Sequence, residues 1–286
     1  MRPTGWMRRF FYEAVKMALF ICAIFSCFIV LTILGFLSYF MAPVIVNGDL
    51  RELLGTIWNP ASNSFGIVPM FVGSVCVSFT AVILAYPVAT GLSLYCNGMG
   101  PHFLGAKLTT VIEFMVCVPT VVYAFVSAIL LAPMLRSMFQ HGSGFSWLTA
   151  SLTLTLLVLP TIFLMINTSI REASHKFRVL ALSLGMTQAQ ALAWVITPQA
   201  KTGFKIGLIL GLARAVGDTI ISLMLAGNAA QFPDSTLDSV RTLTAHIALV
   251  VATDPNSLAY QSIFLCGLLL CAISAITNLG LRMVSK

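Results

Sequence analysis

The sequence predicts an all-α integral membrane protein with six transmembrane helices, and three observations carry that prediction. Of its 286 residues, 58% are hydrophobic and only 9% charged, with a mean hydropathy of +0.96, which is far from the composition of a soluble domain. Apolar stretches long enough to cross a bilayer, about 20 residues each, recur over 17–41, 67–95, 108–135, 148–168, 206–228 and 260–281. None has the ~10-residue alternation of a membrane barrel strand, so each reads as a helix that satisfies its own backbone.

Charge placement gives the expected orientation. Of 16 Lys and Arg, twelve fall on one side if the N-terminus is cytoplasmic, from Arg2, Arg8 and Arg9 to Arg282 and Lys286. The other side holds Arg51, Arg136 and Arg241, so the positive-inside rule places both termini in the cytoplasm. The net charge of +7 is thereby absorbed by topology, and no nucleic-acid partner is expected. Seven cysteines (22, 27, 76, 96, 117, 266, 271) lie in or at the cytoplasmic ends of the spans; they show neither a disulfide framework nor a metal spacing.

Residues 1–16 read as a basic, aromatic cytoplasmic segment lying at the lipid interface, and 17–286 as one six-helix domain. The first apolar run is too long for a signal peptide, and Met41-Ala42-Pro43 offers no cleavage site, so it is expected to stay as a helix. From Asn47 to Gly66 the chain is turn-rich and outside, with Trp58 and Phe65 at headgroup depth. The loop 96–107 carries Gly100 and Gly105 at phosphate-loop spacing, but Ala106-Lys107-Leu108 follows where Lys-Ser/Thr is needed, so no cofactor is expected on this chain.

In the third span Glu113 sits one or two turns inside the interface, where it either snorkels or pairs with a lysine, or lines a solute path. Pro119 and Pro160 are each expected to kink their spans. The loop 169–205 is the largest cytoplasmic feature; its apolar residues around Leu184-Gly185 suit two short helices meeting at Gly185 and stopped by Pro198, a knob for a cytoplasmic partner.

The fifth span has Gly203, Gly207 and Gly211 four apart, a face for close helix packing. Asp218, seven residues after Gly211, is expected to return to that face, and Arg214 lies four before it, so both charges should point into the bundle. A central charge costs ~2.5–3.5 kcal/mol on insertion scales. A buried structural pair is therefore the weaker reading, and a place in a permeation pathway the stronger.

Several stretches resemble one family, the permease subunits of binding-protein-dependent ABC importers, and among them the phosphate-uptake type. Leu180-Ala181-Leu182-Ser183-Leu184-Gly185 with Thr197-Pro198 is similar to the later part of the family's cytoplasmic loop; Ala213-Arg214-Ala215-Val216-Gly217-Asp218-Thr219 resembles Gly-Arg-Ala-x-Gly-Glu-Thr, continued by Met224–Asn228. Ile112-Glu113 with Pro119–Tyr123 resembles its third-span signature, and Trp58, Pro60 and Phe65–Ser74 its outer loop. Val179 stands at the loop's usual glutamate, with Glu172 seven residues earlier, while Asp218 replaces the intramembrane glutamate and Ala213 the leading glycine.

The resemblance implies a type I ABC importer permease in the cell membrane that is not itself an enzyme, with ATP hydrolysed on a cytoplasmic ATPase dimer. It also implies a second permease, an external phosphate-binding protein, and lipid around the spans. It implies coupling through Glu172, Ala181, Leu184, Gly185 and Pro198, and a solute pathway through Arg214, Asp218, Thr219 and Glu113. Another oxyanion such as molybdate or tungstate is the nearest alternative substrate; a proton-coupled secondary transporter with Asp218 as carrier is the other mechanism, although the internal repeats that would favour it are absent.

Overall fold

The computed structural model describes residues 5–140, 142–255 and 257–285, in two compact units that divide at Leu50. The first unit is essentially one helix, α1 (Gly5–Asn47). Its most apolar window has no buried residue, the pattern of a helix whose solvent is lipid. Met1–Thr4 of the N-terminal segment lie outside the described residues, and from Gly5 the helix passes positions 16 and 17 without a break.

The second unit opens with α2 (Leu50–Leu53) and a small antiparallel ladder, β1 (Trp58–Asn59) with β2 (Ser64–Phe65), which pairs Trp58 with Phe65. Helix α3 (Val68–Leu94) follows, with Pro69 in its first turn where no N–H is needed, and a π-helical turn at Tyr95–Met99 ends it. The third span comes in pieces: α4 (His102–Cys117), α5 (Thr120–Ile129) and α6 (Leu131–Phe139). The fourth is one long helix, α7 (Trp147–Ser183), started by Ser146, whose hydroxyl accepts the Thr149 N–H.

Beyond it the chain makes α8 (Gln188–Gln190), a π-helical stretch at Ala191–Ile196 and α9 (Thr197–Gln199), then α10 (Lys201–Gly217), α11 (Ile220–Leu225), α12 (Leu243–Val250) and α13 (Leu258–Ser285). Among the described residues five helical stretches are long and apolar enough to cross a membrane. The sixth predicted span, 206–228, is absent from that set because α10 stops at Gly217 and a separate short helix continues it.

The core is built on α7, which packs against α3 and α10, themselves in contact with each other. Small residues on α3 (Ala81, Ala85, Ala89) let the helices close on Leu154, Val158, Ile162 and Ile166, all buried. The contact is tied by hydroxyl-to-carbonyl bonds, Ser151 Oγ to Val77 O and Thr155 Oγ1 to Ala81 O, both 3.3 Å. The predicted Gly203, Gly207, Gly211 face is buried against this same helix. A Cβ at Gly203 would overlap the Ser169 side chain, one at Gly207 would lie 3.3 Å from Ile162 O and Ile166 Cγ1, and one at Gly211 would lie 2.7 Å from Ile162 Cδ1.

Pro160 does not end α7: the helix runs through it, with Leu157 to Ile162 largely buried around it. Two local expectations need correction. The segment from 169 is not loop but the last four turns of α7, which end in a Schellman arrangement: Gly185 sits at φ +80, Met186 N donates to Ala181 O at 3.3 Å, and Gly185 N donates to Leu182 O at 3.0 Å. Pro198 stops nothing. It occupies the first turn of α9, where its missing N–H is no loss.

Candidate functional site

Two of the spans are interrupted, and the interruptions are built differently. At Pro119 the ring removes the N–H that would have reached Met115 O, and it forces Val118 into extended geometry (φ −75, ψ 125). That carbonyl accepts the Val118 N–H at 3.3 Å and, from across the break, the Tyr123 hydroxyl at 3.0 Å. A single tyrosine one turn into α5 thus bridges the break in the third span.

At Asp218 no proline is present. The residue leaves helical geometry at φ −77, ψ 123 and turns its carboxylate onto the next helix, Oδ2 accepting the Ile221 N–H at 2.8 Å. Its own carbonyl accepts the Thr244 hydroxyl from α12 at 3.1 Å. Below α11 the chain turns through Gly227 and Asn228, both at positive φ, and Asn228 is fixed by its Nδ2 donating to Leu223 O at 2.7 Å. Arg241 Nε donates to Asn228 O at 2.9 Å, and burial pulls that guanidinium below its usual range. Helix α11 packs along α5, so the two interruptions belong to neighbouring elements.

The structure keeps Arg214, Asp218 and Thr219 at the break in the fifth span and sets Glu113 apart from them. Asp218 is half-buried at the break, and Thr219 lines a cavity of about 370 Å³ with Gly217, Thr244, Ser274 and Thr277. Arg214 is exposed on the flank of α10 and makes no ion pair with Asp218, against the expectation that both charges point inward. The reason is geometric: the buried face of α10 runs through Gly207, Gly211 and Ala215, and one residue back from Ala215 is about 100° away. Glu113 belongs elsewhere, in a larger polar cavity of about 1,080 Å³ with Arg171 and Arg178.

The residues expected to couple to an ATPase lie on the last turns of α7 and on the short helical segments that follow it. Glu172, Leu184, Gly185 and Pro198 are exposed and Ala181 is buried beneath them. Around them Val179, Leu180 and Trp194 are large apolar side chains open to solvent, 75%, 60% and 75% exposed, more than a lone surface residue explains. Thr244, Asn228 and Arg241 hold the break and the turn after α11, and periodicity did not single them out; the only signal was the Met224–Asn228 stretch, quoted for its resemblance.

Residues 89–286 match the family described as the binding-protein-dependent transport system inner membrane component. The chain belongs to that family. It is therefore a transport permease subunit and not an enzyme, and the family implies ATPase and substrate-binding partners and a second permease subunit. Similar chains include the "Probable ABC transporter permease protein YqgH" of Bacillus subtilis, 28% identical over 247 residues, covering 85% of this chain and 80% of that one. The "Phosphate transport system permease protein PstC" of Pasteurella multocida is 26% identical over 210 residues, 67% of this chain and 66% of that one. Among solved structures the MetNI methionine ABC transporter, in inward-facing conformations, matches with a TM-score of 0.56 and 16% identity over 75% of this chain and 94% of that chain, a likeness of fold.

Proposed function

We propose that the chain is one of two permeases of an ATP-driven phosphate importer, with the solute passing the interruptions at Pro119 and Asp218. The observation that carries this is the pairing of two broken helices with a guanidinium, Arg214, left exposed beside one of them. An exposed arginine in the middle of an apolar span is costly in lipid and suited to a path shared with a second subunit. The PstC relative's name supports phosphate as the cargo, and molybdate or tungstate is the outcome that would replace it.

In this reading both termini and the Glu172–Pro198 region face the cytoplasm, where Leu184 and its exposed neighbours fill a groove on the ATPase dimer and Gly185 sets the turn between them. Arg214 supplies a fork of N–H donors that a tetrahedral anion accepts. Asp218 caps Ile221 N–H through Oδ2, and its ionised carboxylate can also accept a P–OH, which sulfate lacks. Replacing Arg214 with Ala should stop ATP-driven phosphate uptake by the complete reconstituted transporter, and Arg214→Lys should keep only a small part of it. Uptake by Arg214→Ala equal to the parent's would make the arginine structural and remove the basis of this pathway.

A further inference from the structure

The cavity of about 1,080 Å³ at the end of the bundle where α7 finishes has chemistry that the pathway does not use. One stripe of α7 faces it, Asn167, Arg171, His175 and Arg178, spaced four, four and three residues apart and therefore stacked on a single side of the helix. From the other side Asn97 and Glu113 line it. The two arginines outweigh the one carboxylate, so the cavity carries a net positive charge even with the histidine neutral.

Asn167 offers the cavity a donor. It is 5% exposed, and its Oδ1 accepts Asn97 Nδ2 at 2.6 Å. That assignment is fixed by the network, because Asn97 Nδ2 also donates to Ser93 O at 2.7 Å and must be the nitrogen. Asn167 Nδ2 is left as a donor with no hydrogen bond to any described residue, on a side chain that lines the cavity. Arg178 uses one Nη2–H on Gln188 Oε1 at 3.0 Å and keeps the rest of its fork. Arg171 makes no ion pair with any described residue.

We infer that this cavity is a second anion site, distinct from the Arg214 region, built for a protonated tetrahedral oxyanion of the hydrogen-phosphate kind. Arg171, Arg178 and the Asn167 amide donate to its oxygens, and Glu113 accepts the P–OH. A fully ionised sulfate has no proton to offer and meets the carboxylate as a like charge. The same phosphate chemistry exists on a free anion and on a phosphomonoester lipid headgroup. The inference stands whether or not phosphate is the transported solute, because it concerns residues the pathway does not contain.

The test is calorimetric titration of inorganic phosphate and of sulfate into the assembled transporter, without its external binding protein, in a neutral detergent and in an Arg214→Ala background. Phosphate binding is expected there, and Arg171→Gln or Arg178→Gln should weaken it by about tenfold or more each, the scale of one charge-assisted hydrogen bond. Asn167→Asp, which replaces the free donor with an acceptor, should weaken it further. Glu113→Gln should bring sulfate toward the affinity of phosphate. Repeating the titration in discs of phosphatidylcholine alone and with phosphatidic acid separates the sources: displacement by the acidic lipid assigns the site to a headgroup, unchanged binding to the free anion. Absence of phosphate binding in the Arg214→Ala complex, or binding that survives loss of both Arg171 and Arg178 while the complex stays assembled, overturns the inference. Uptake by Arg214 variants reads the other site, so the two ideas fail separately.

Discussion

Helices α7 and α10 lie side by side, yet one ignores its helix breaker and the other breaks without one. Pro160 sits inside α7 with no interruption, whereas α10 ends at Gly217 in front of an aspartate that an isolated helix would tolerate. Packing explains the first, since apolar neighbours leave α7 one place to go. Bonding explains the second: the Ile221 N–H freed by the break is accepted by the Asp218 carboxylate, and the Asp218 carbonyl accepts the Thr244 hydroxyl. Continuity in this bundle is a tertiary property. The breaks fall where partners have been provided for the loose backbone, and those are the places where a solute could meet polar groups.

The strongest way to disturb this comparison is to push the two helices apart. Gly207→Leu places a side chain against Ile162 O and Ile166, so overpacking should lower stability by about 1–3 kcal/mol. Thermal unfolding in detergent would register it, and a variant as stable as the parent would mean the glycine face is incidental. A smaller effect is expected at the break itself. Asp218→Ala removes the acceptor for Ile221 N and should cost about 1 kcal/mol, while Asp218→Asn keeps an acceptor and should spare stability yet slow phosphate uptake. Equal stability losses for both would show that charge, not capping, holds α11.

The different legibility of the two helices has a physical cause. Hydropathy located the spans because lipid demands long apolar runs, and the i, i+4 glycines announced the packing face because close approach needs them. The break at Pro119 was readable from the proline. The break at Asp218 was not, because its cause is Thr244, 26 residues away and on a helix of eight residues too short to show in any span-length window. Arg214 was assigned inward from its spacing to Gly211 and Asp218, but one residue before Ala215 it falls off the buried face of α10. The stripe Asn167, Arg171, His175, Arg178 has clear helical spacing, and reading 169–205 as loop hid it.

The finest test exchanges the two prolines for alanine. At Pro160, alanine restores an N–H and loses a ring from a site already helical, so α7 should keep its course, with stability changing by less than about 1 kcal/mol if packing dominates as argued. At Pro119, alanine restores the N–H toward Met115 O, where the Val118 N–H and the Tyr123 hydroxyl now donate, and frees Val118 to become helical. The tyrosine hydroxyl then competes with the backbone for one carbonyl, and the gap between α4 and α5 should tend to close. Phosphate uptake should fall in Pro119→Ala with little change in stability, and adding Tyr123→Phe should deepen the loss, because the hydroxyl that favours the open geometry is gone. Matching uptake for the Pro119 and Pro160 variants would show that the interruption in the third span is tolerated and not used.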